Sequence, residues 1–191
     1  MKHLTDGAAM SGIPLKSGYT YEDYRGFPDD LRCEIVDGAI YDMTPASSTK
    51  HQRVTGQIYH LIRKHLSPSD ACRVYISPTD VILANDQIVQ PDVLVVCEGG
   101  KVRETGIFGA PDVVFEVLSP ATEIKDRGRK LEIYELFGVR EYYLVHLDLE
   151  FVERYVLSGG AYGRPQIFRE EQTFTIDSIG FEIAAGELFA D

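Results

Sequence analysis

The chain has no run approaching the ~18 to 20 consecutive apolar residues that a membrane-spanning helix requires. Its opening stretch, MKHLTDGAAMSGIPLKS, lacks the apolar segment of a secretory signal. It reads as a loose tail over residues 1–18, ahead of a single domain over 19–191. Cysteine is scarce. Cys33, Cys72 and Cys97 are odd in number, far apart and without C-x-x-C spacing, which argues against a disulfide framework or a zinc site. A reducing cytoplasm is the expected compartment. Basic residues are in deficit, 19 against 30 acidic, for a net charge of −11. That balance excludes whole-molecule attraction to nucleic acid. Any contact with DNA has to come from a local patch, and nonspecific affinity is expected to be weak. There are no internal repeats and no low-complexity segment.

What is present is ordinary for a globular protein: 191 residues, 44% hydrophobic and 26% charged, enough to bury a sizeable core. YTYEDYRGF predicts a short helix, with Thr20 as N-cap and Asp23 at the capping-box position. CEIVDGAIYDM predicts a hairpin around Asp37-Gly38. SSTKHQRVTGQIYHLIRKHLSP predicts a helix capped by Ser48 or Thr49 and ended by Pro68. His51, Val54, Ile58, Leu61, Ile62 and His65 share one face of it. Lys50, Arg53, Gln57, His60 and Lys64 form the other face, a solvated surface or the best place for DNA backbone contacts. CRVYISPTDVILAND is one long or interrupted strand, and IVQPDVLVVCE is the next. PDVVFEVLSP is a central strand. TEIKDRGRKLEIYELFGV is a helix capped by Thr122 and closed by Gly138. REYYLVHLD and FVERYVLSGG pair as strands, and short strands follow to the end. This order predicts a mixed α+β fold: a central mixed sheet flanked by helices, with an N-terminal hairpin and a strand-rich C-terminal extension.

Glu116 stands in an otherwise apolar strand, where an isolated carboxylate costs several kcal/mol. Asp92 opens the preceding apolar strand, directly after Pro91, whose missing N–H suits a strand start or bulge. If the two strands pair, the acids lie close together, repel, and raise one pKa. A divalent cation relieves both burdens, and hard cations such as Mg²⁺ or Mn²⁺ favour carboxylate oxygens. In the following helix Asp126 and Lys130 stand at i and i+4 on the partly apolar face, so Lys130 is aimed inward. Two carboxylates, a metal and an inward lysine are parts for phosphodiester hydrolysis.

CEIVDG, KHQRV, QPDVLVV, VVFEVLSP, DRGRKLEIY and GVREYYLV, in this order and spacing, resemble the PD-(D/E)XK nuclease superfamily, and most closely its Uma-type restriction endonuclease branch. The resemblance runs from about Tyr19 to Val145. It implies a restriction-endonuclease-like core, a four-stranded mixed sheet flanked by helices. It also implies a Mg²⁺- or Mn²⁺-dependent endonuclease acting on DNA, with Asp92 and Glu116 as metal ligands, Lys130 as the charge-stabilising lysine, and Glu34 and His51 joining the site. A homodimer is compatible with it. The superfamily pattern puts lysine two residues after the acid, where this chain has Leu118. The resemblance to variants whose lysine has moved to the next helix points again to Lys130. Pro111-Asp112 is a rival motif, but Asp112 and Glu116 lie about 13 Å apart along one strand, too far to share an ion.

Each residue also has a plainer reading. Asp92 suits a cap that accepts backbone hydrogen bonds, and Glu116 an ion pair with Lys130 or Arg127. Glu34 suits a hairpin-face pair, His51 a packed core histidine, and Tyr134 the core. Ser119 suits a helix cap. A nuclease fold that binds nucleic acid or another partner without cleaving it is the alternative function.

Overall fold

A computed structural model describes residues 16–28, 30–43, 48–119 and 126–190. Most of the predicted tail and the Thr122 cap therefore lie outside the described residues. Among those described, no helix is long and apolar enough to cross a membrane.

Helix α1 (Tyr21–Tyr24) starts at Thr20, whose side chain and that of Asp23 close a reciprocal capping box. Strands β1 (Cys33–Val36) and β2 (Ala39–Asp42) form the predicted hairpin. Asp37 and Gly38 both take positive φ at its turn, 53° and 69°. A side chain at Gly38 would meet the Gly18 backbone at 2.9 Å, so glycine is required there twice over. Helix α2 (Thr49–His65) is capped by the Ser48 side chain. It buries His51, Val54, Thr55, Ile58 and Ile62 and leaves His65 exposed.

The next two apolar stretches are each cut in two. Strands β3 (Arg73–Ile76) and β4 (Val81–Ala84) flank Ser77-Pro78, and β5 (Gln87–Val89) and β6 (Val93–Val96) flank Pro91. Each break sends the chain from one sheet to another. Short strands β7 (Val102–Arg103) and β8 (Gly106–Phe108) precede the fully buried β9 (Val113–Leu118). A wide π-type turn (Asp126–Lys130) runs directly into α3 (Leu131–Phe137), so the described part of the predicted helix opens in π rather than α geometry. Gly138, left-handed at φ 84°, closes α3 as predicted. Strands β10 (Glu141–His146) and β11 (Phe151–Ser158) are followed by β12 (Ala161–Tyr162), β13 (Gln166–Arg169), β14 (Thr173–Ile176) and β15 (Phe181–Ala184).

The first sheet has the order β2-β1-β5-β4-β8-β7. The second runs β12-β11-β10-β9-β6-β3, with β13 also on β11; β9 and β10 are parallel and the other pairs antiparallel. Strands β14 and β15 pair apart. One face of the second sheet (Val93, Val95, Val113, Phe115, Val117) packs against Val54, Ile58 and Ile62 of α2. Each of those helix side chains contributes roughly 1.5 to 3 kcal/mol on full burial. The other face (Leu94, Val96, Val114, Leu118) packs on Ile133 and Tyr134 of α3 and on Val36, Val81 and Val89 of the first sheet. The strand-period alternation thus assigns every residue of β9 to one layer or the other.

Two expectations are corrected. Cys72 and Cys97 form a disulfide with sulfurs 2.01 Å apart. They flank the Arg73–Val96 pair of β3 and β6, so the strand register sets them opposite each other although 25 residues separate them in sequence. The polar face of α2 is also less available than its charges suggest. Arg53 donates to the Phe189 and Ala190 carbonyls at 2.7 Å, Gln57 donates to Glu187 O, and Lys50 pairs with Glu150. The C-terminal segment crosses this face and takes the Arg53 and Gln57 donors. His60 and Lys64 remain exposed.

Candidate active site

The site forms where the chain leaves one sheet for the other. Glu34 shares the face of β1 that carries Val36, and its Oε1 accepts the Gln90 N–H at 2.8 Å. Pro91 has no N–H of its own to satisfy at the crossing. Continuing the register Val93–Phe115, Asp92 stands opposite Glu116. Glu116 alternates with Val114 and Leu118 and so projects toward the α3 side of the second sheet, while Asp92 stands just before β6 begins. Asp92 Oδ2 accepts the Val117 N–H at 2.7 Å, which fixes one carboxylate oxygen.

Lys130 ends the π-type turn and enters this layer. Its ammonium lies 2.7 Å from Glu116 Oε1, 3.0 Å from Glu34 Oε1 and 3.5 Å from Asp126 Oδ1. The lysine side chain is 5% exposed and those of Glu34, Glu116 and Asp126 are 1 to 5% exposed. Tyr134, from the next turn, donates its hydroxyl to Glu116 Oε1 at 3.0 Å, and Tyr142 holds the turn by donating to the Asp126 carbonyl at 3.0 Å. From the opposite layer, His51 at the start of α2 places Nε2 3.2 Å from Asp92 Oδ2, with Thr55 Oγ1 3.4 Å from its Nδ1.

These neighbours shape the titration of the cluster. Burial pushes the Glu116 carboxyl up to about 8; the Lys130 charge opposes this, while Asp126, Asp92 and Glu34 reinforce it. Burial opposes the charge of Lys130, but Glu116, Glu34 and Asp126 outweigh it and hold the ammonium well above its ordinary range. Burial and the Glu116 charge push Tyr134 well up. For His51, burial favours the neutral ring, but the hydrogen bond and charge of Asp92 prevail and raise its pKa.

All five residues expected from the sequence, Glu34, His51, Asp92, Glu116 and Lys130, therefore meet in one place. Asp126 joins them; its i,i+4 spacing to Lys130 was the available signal. Tyr134, expected as core, also donates to the cluster. Asp112 sits at the other end of β9, where it accepts the Cys97 N–H and faces Arg140 at 3.4 Å. Beside the site Arg127 makes a double contact with Glu153, at 2.7 and 3.1 Å, and His146 lies 3.0 Å from Arg127. This brace ties the π-type turn to β10 and β11, and nothing in the local sequence pattern announces it.

Among the described residues no group of three His, Cys, Asp or Glu is disposed to hold a metal ion directly. The donor set still suits a hard cation. Carboxylates converge from β1, the start of β6, β9 and the π-type turn, and three of them already surround a cation, the Lys130 ammonium.

The sequence profile of the Uma2 family, described as "Putative restriction endonuclease", matches residues 19–186. "Uncharacterized protein slr1290" of Synechocystis sp. (strain ATCC 27184 / PCC 6803 / Kazusa) is 35% identical over 102 residues, which cover 53% of this chain and 53% of that protein. The match thus spans about half the length of that curated relative. A crystal structure described as a putative nuclease belonging to DUF820, from Anabaena variabilis ATCC 29413, superposes with a TM-score of 0.75 at 19% identity, over 89% of this chain and 97% of that one. This likeness shows a shared, nuclease-like mixed α+β fold.

Proposed function

We propose that the acidic cluster of this chain, which belongs to the Uma2 putative restriction endonuclease family, hydrolyses phosphodiester bonds in DNA with the help of a divalent metal. The observation that carries the reading is the meeting of Asp92, Glu116 and Lys130 with Glu34, Asp126 and His51 at a sheet crossing. Asp92 and Glu116 would hold the metal, with Glu34 or Asp126 completing the carboxylate set. A bound Mg²⁺ or Mn²⁺ supplies polarisation of the phosphate and acidification of a water. Lys130 provides positive charge for the oxyanion that develops in the transition state. His51, held against Asp92, orients that carboxylate and fixes which oxygen stays free for the ion. Tyr134 steadies Glu116 in the same way.

A second reading, a nuclease fold that binds without cleaving, draws on the net charge of −11 and on the lysine lodged among the acids. One assay separates the two. Purified protein is incubated with plasmid DNA, single-stranded DNA and RNA, in Mg²⁺, Mn²⁺ or chelator. Metal-dependent nicking or linearisation of DNA supports hydrolysis. Retention of nucleic acid with no cleavage in any metal supports the binding module. Preferential cleavage of RNA would move the substrate class.

A further inference from the structure

We infer that Lys130 is the resident cation of the acidic cage, and that a divalent metal enters by displacing it, so that metal binding itself releases the ammonium toward the substrate. This inference rests on the metal-dependent reading above and concerns how that same site is regulated.

The argument begins with geometry. The Lys130 ammonium touches the inward oxygens of Glu116 and Glu34 and faces Asp126. A Mg²⁺ ion binds carboxylate oxygens at ~2.0 to 2.1 Å. An ion on those oxygens would therefore stand in van der Waals contact with the ammonium, as a second positive charge in a dry pocket. Two positive charges on the same oxygens repel each other in a dry pocket, and the departure of one of them relieves that repulsion. The lysine is the one built to move, because its charge sits at the end of a flexible four-carbon stem. The carboxylates are fixed by comparison. The Gln90 N–H holds Glu34, the Tyr134 hydroxyl holds Glu116, and the Val117 N–H holds Asp92.

Two consequences follow. Without metal the single ammonium supplies one positive charge to the three carboxylates around it, so the cage is offset only in part from within. A monovalent ion offers the acids no more charge than the ammonium does, so only a divalent ion has a net advantage. The exchange also orders events: the charge that serves the transition state becomes available only once the metal is in place.

The test uses the full chain and Mn²⁺ alone. Calorimetric titration compares wild type, Lys130→Met and Glu116→Gln. Separately, wild type is treated with an amine-acylating reagent, with and without Mn²⁺, and Lys130 acylation is read by mass spectrometry. The inference expects Lys130→Met to bind Mn²⁺ at least about tenfold more tightly than wild type, a factor equal to 1.4 kcal/mol. It also expects Mn²⁺, but not Na⁺, to speed acylation of Lys130 severalfold. The acylation arm decides on its own if Lys130→Met fails to fold. Wild type that binds Mn²⁺ with Lys130 acylation unchanged, or a folded Lys130→Met that binds no more tightly, overturns the displacement and leaves the metal site standing. Wild type and a folded Lys130→Met that both ignore Mn²⁺ overturn the metal reading itself, and the displacement with it.

Discussion

Neutralising Glu116 separates a functional acid cage from a structural ion pair. Glu116 has its carboxyl raised from 4.5 to about 8, burial being the largest cause. A folded-state pKa above the unfolded value means that ionisation is disfavoured in the fold. The penalty is absent below pH 4.5, grows through the interval, and is complete above about pH 8. At 1.36 kcal/mol per pH unit, it amounts to about 3 kcal/mol at pH 7 and under about 1 kcal/mol at pH 5. Glu116→Gln removes the ionisation and with it the penalty. The opposing cost is the lost partner of Lys130. An orphaned buried charge costs roughly 3 to 5 kcal/mol, but Lys130 keeps Glu34 at 3.0 Å and Asp126 at 3.5 Å. The glutamine oxygen can also still accept from Lys130 and Tyr134, so the cost falls to about 1 kcal/mol, that of an ordinary hydrogen bond. The variant should match wild type at pH 5 and exceed it by about 1 to 3 kcal/mol near pH 8. Urea unfolding of both proteins at the two pH values measures this. Mg²⁺ should stabilise wild type in proportion to RT ln(1 + [L]/Kd) and leave the variant unmoved. A variant destabilised by about 3 kcal/mol or more at both pH values, beside a wild type indifferent to metal, would refute the reasoning and make Glu116 a structural partner of Lys130.

Because the His51 pKa is raised in the fold, its contribution is fully present below the unfolded value and lost as pH rises through the folded one. His51→Ala should thus lose more stability at pH 6 than at pH 9, and thermal melts at the two pH values would expose an equal loss. Glu141 accepts from Tyr143, Arg154, Ser178 and the Asp177 N–H, so Glu141→Ala removes the shared acceptor of these donors and leaves the buried Arg154 with Asp177 and Gln166 alone. It should cost roughly 1 to 3 kcal/mol in urea unfolding, the cost of buried donors left without their acceptor, and loosen residues 173–184 first in hydrogen exchange. DNA affinity without metal should be weak and fall further with added salt; tight, metal-independent binding in a gel-shift at physiological salt would favour the binding module.

The legible parts were those whose cause is local. Asp37-Gly38 announced a hairpin because both positions need positive φ. Ser48 announced the start of α2, and Gly138 the end of α3. Glu116 announced itself as a charge in a run that buries both faces. The opaque parts depend on partners distant in sequence. One apolar stretch around Pro91 is shared by two sheets, because Gln90 finds its acceptor in Glu34 rather than in a continuing ladder. Cys72 meets Cys97 through the β3–β6 register. Arg53 looked like a DNA contact until the C-terminal segment crossed it. Lys130 could be placed facing inward from helix phase, but its grip on Glu34 depended on the packing of β1, and the Arg127–Glu153 brace on the position of β11.

The central claim is that this cluster carries the hydrolysis. Its most direct test is the rate of cleavage of an end-labelled DNA duplex in Mg²⁺ by wild type, Asp92→Asn and Lys130→Met, each shown by circular dichroism to be folded. The account predicts metal-dependent cleavage by wild type and a loss of at least about a hundredfold in both variants, as expected when a charge-stabilising group is removed from a transition state. Cleavage that persists undiminished in either folded variant, or a wild type that cleaves equally well in chelator, would contradict it.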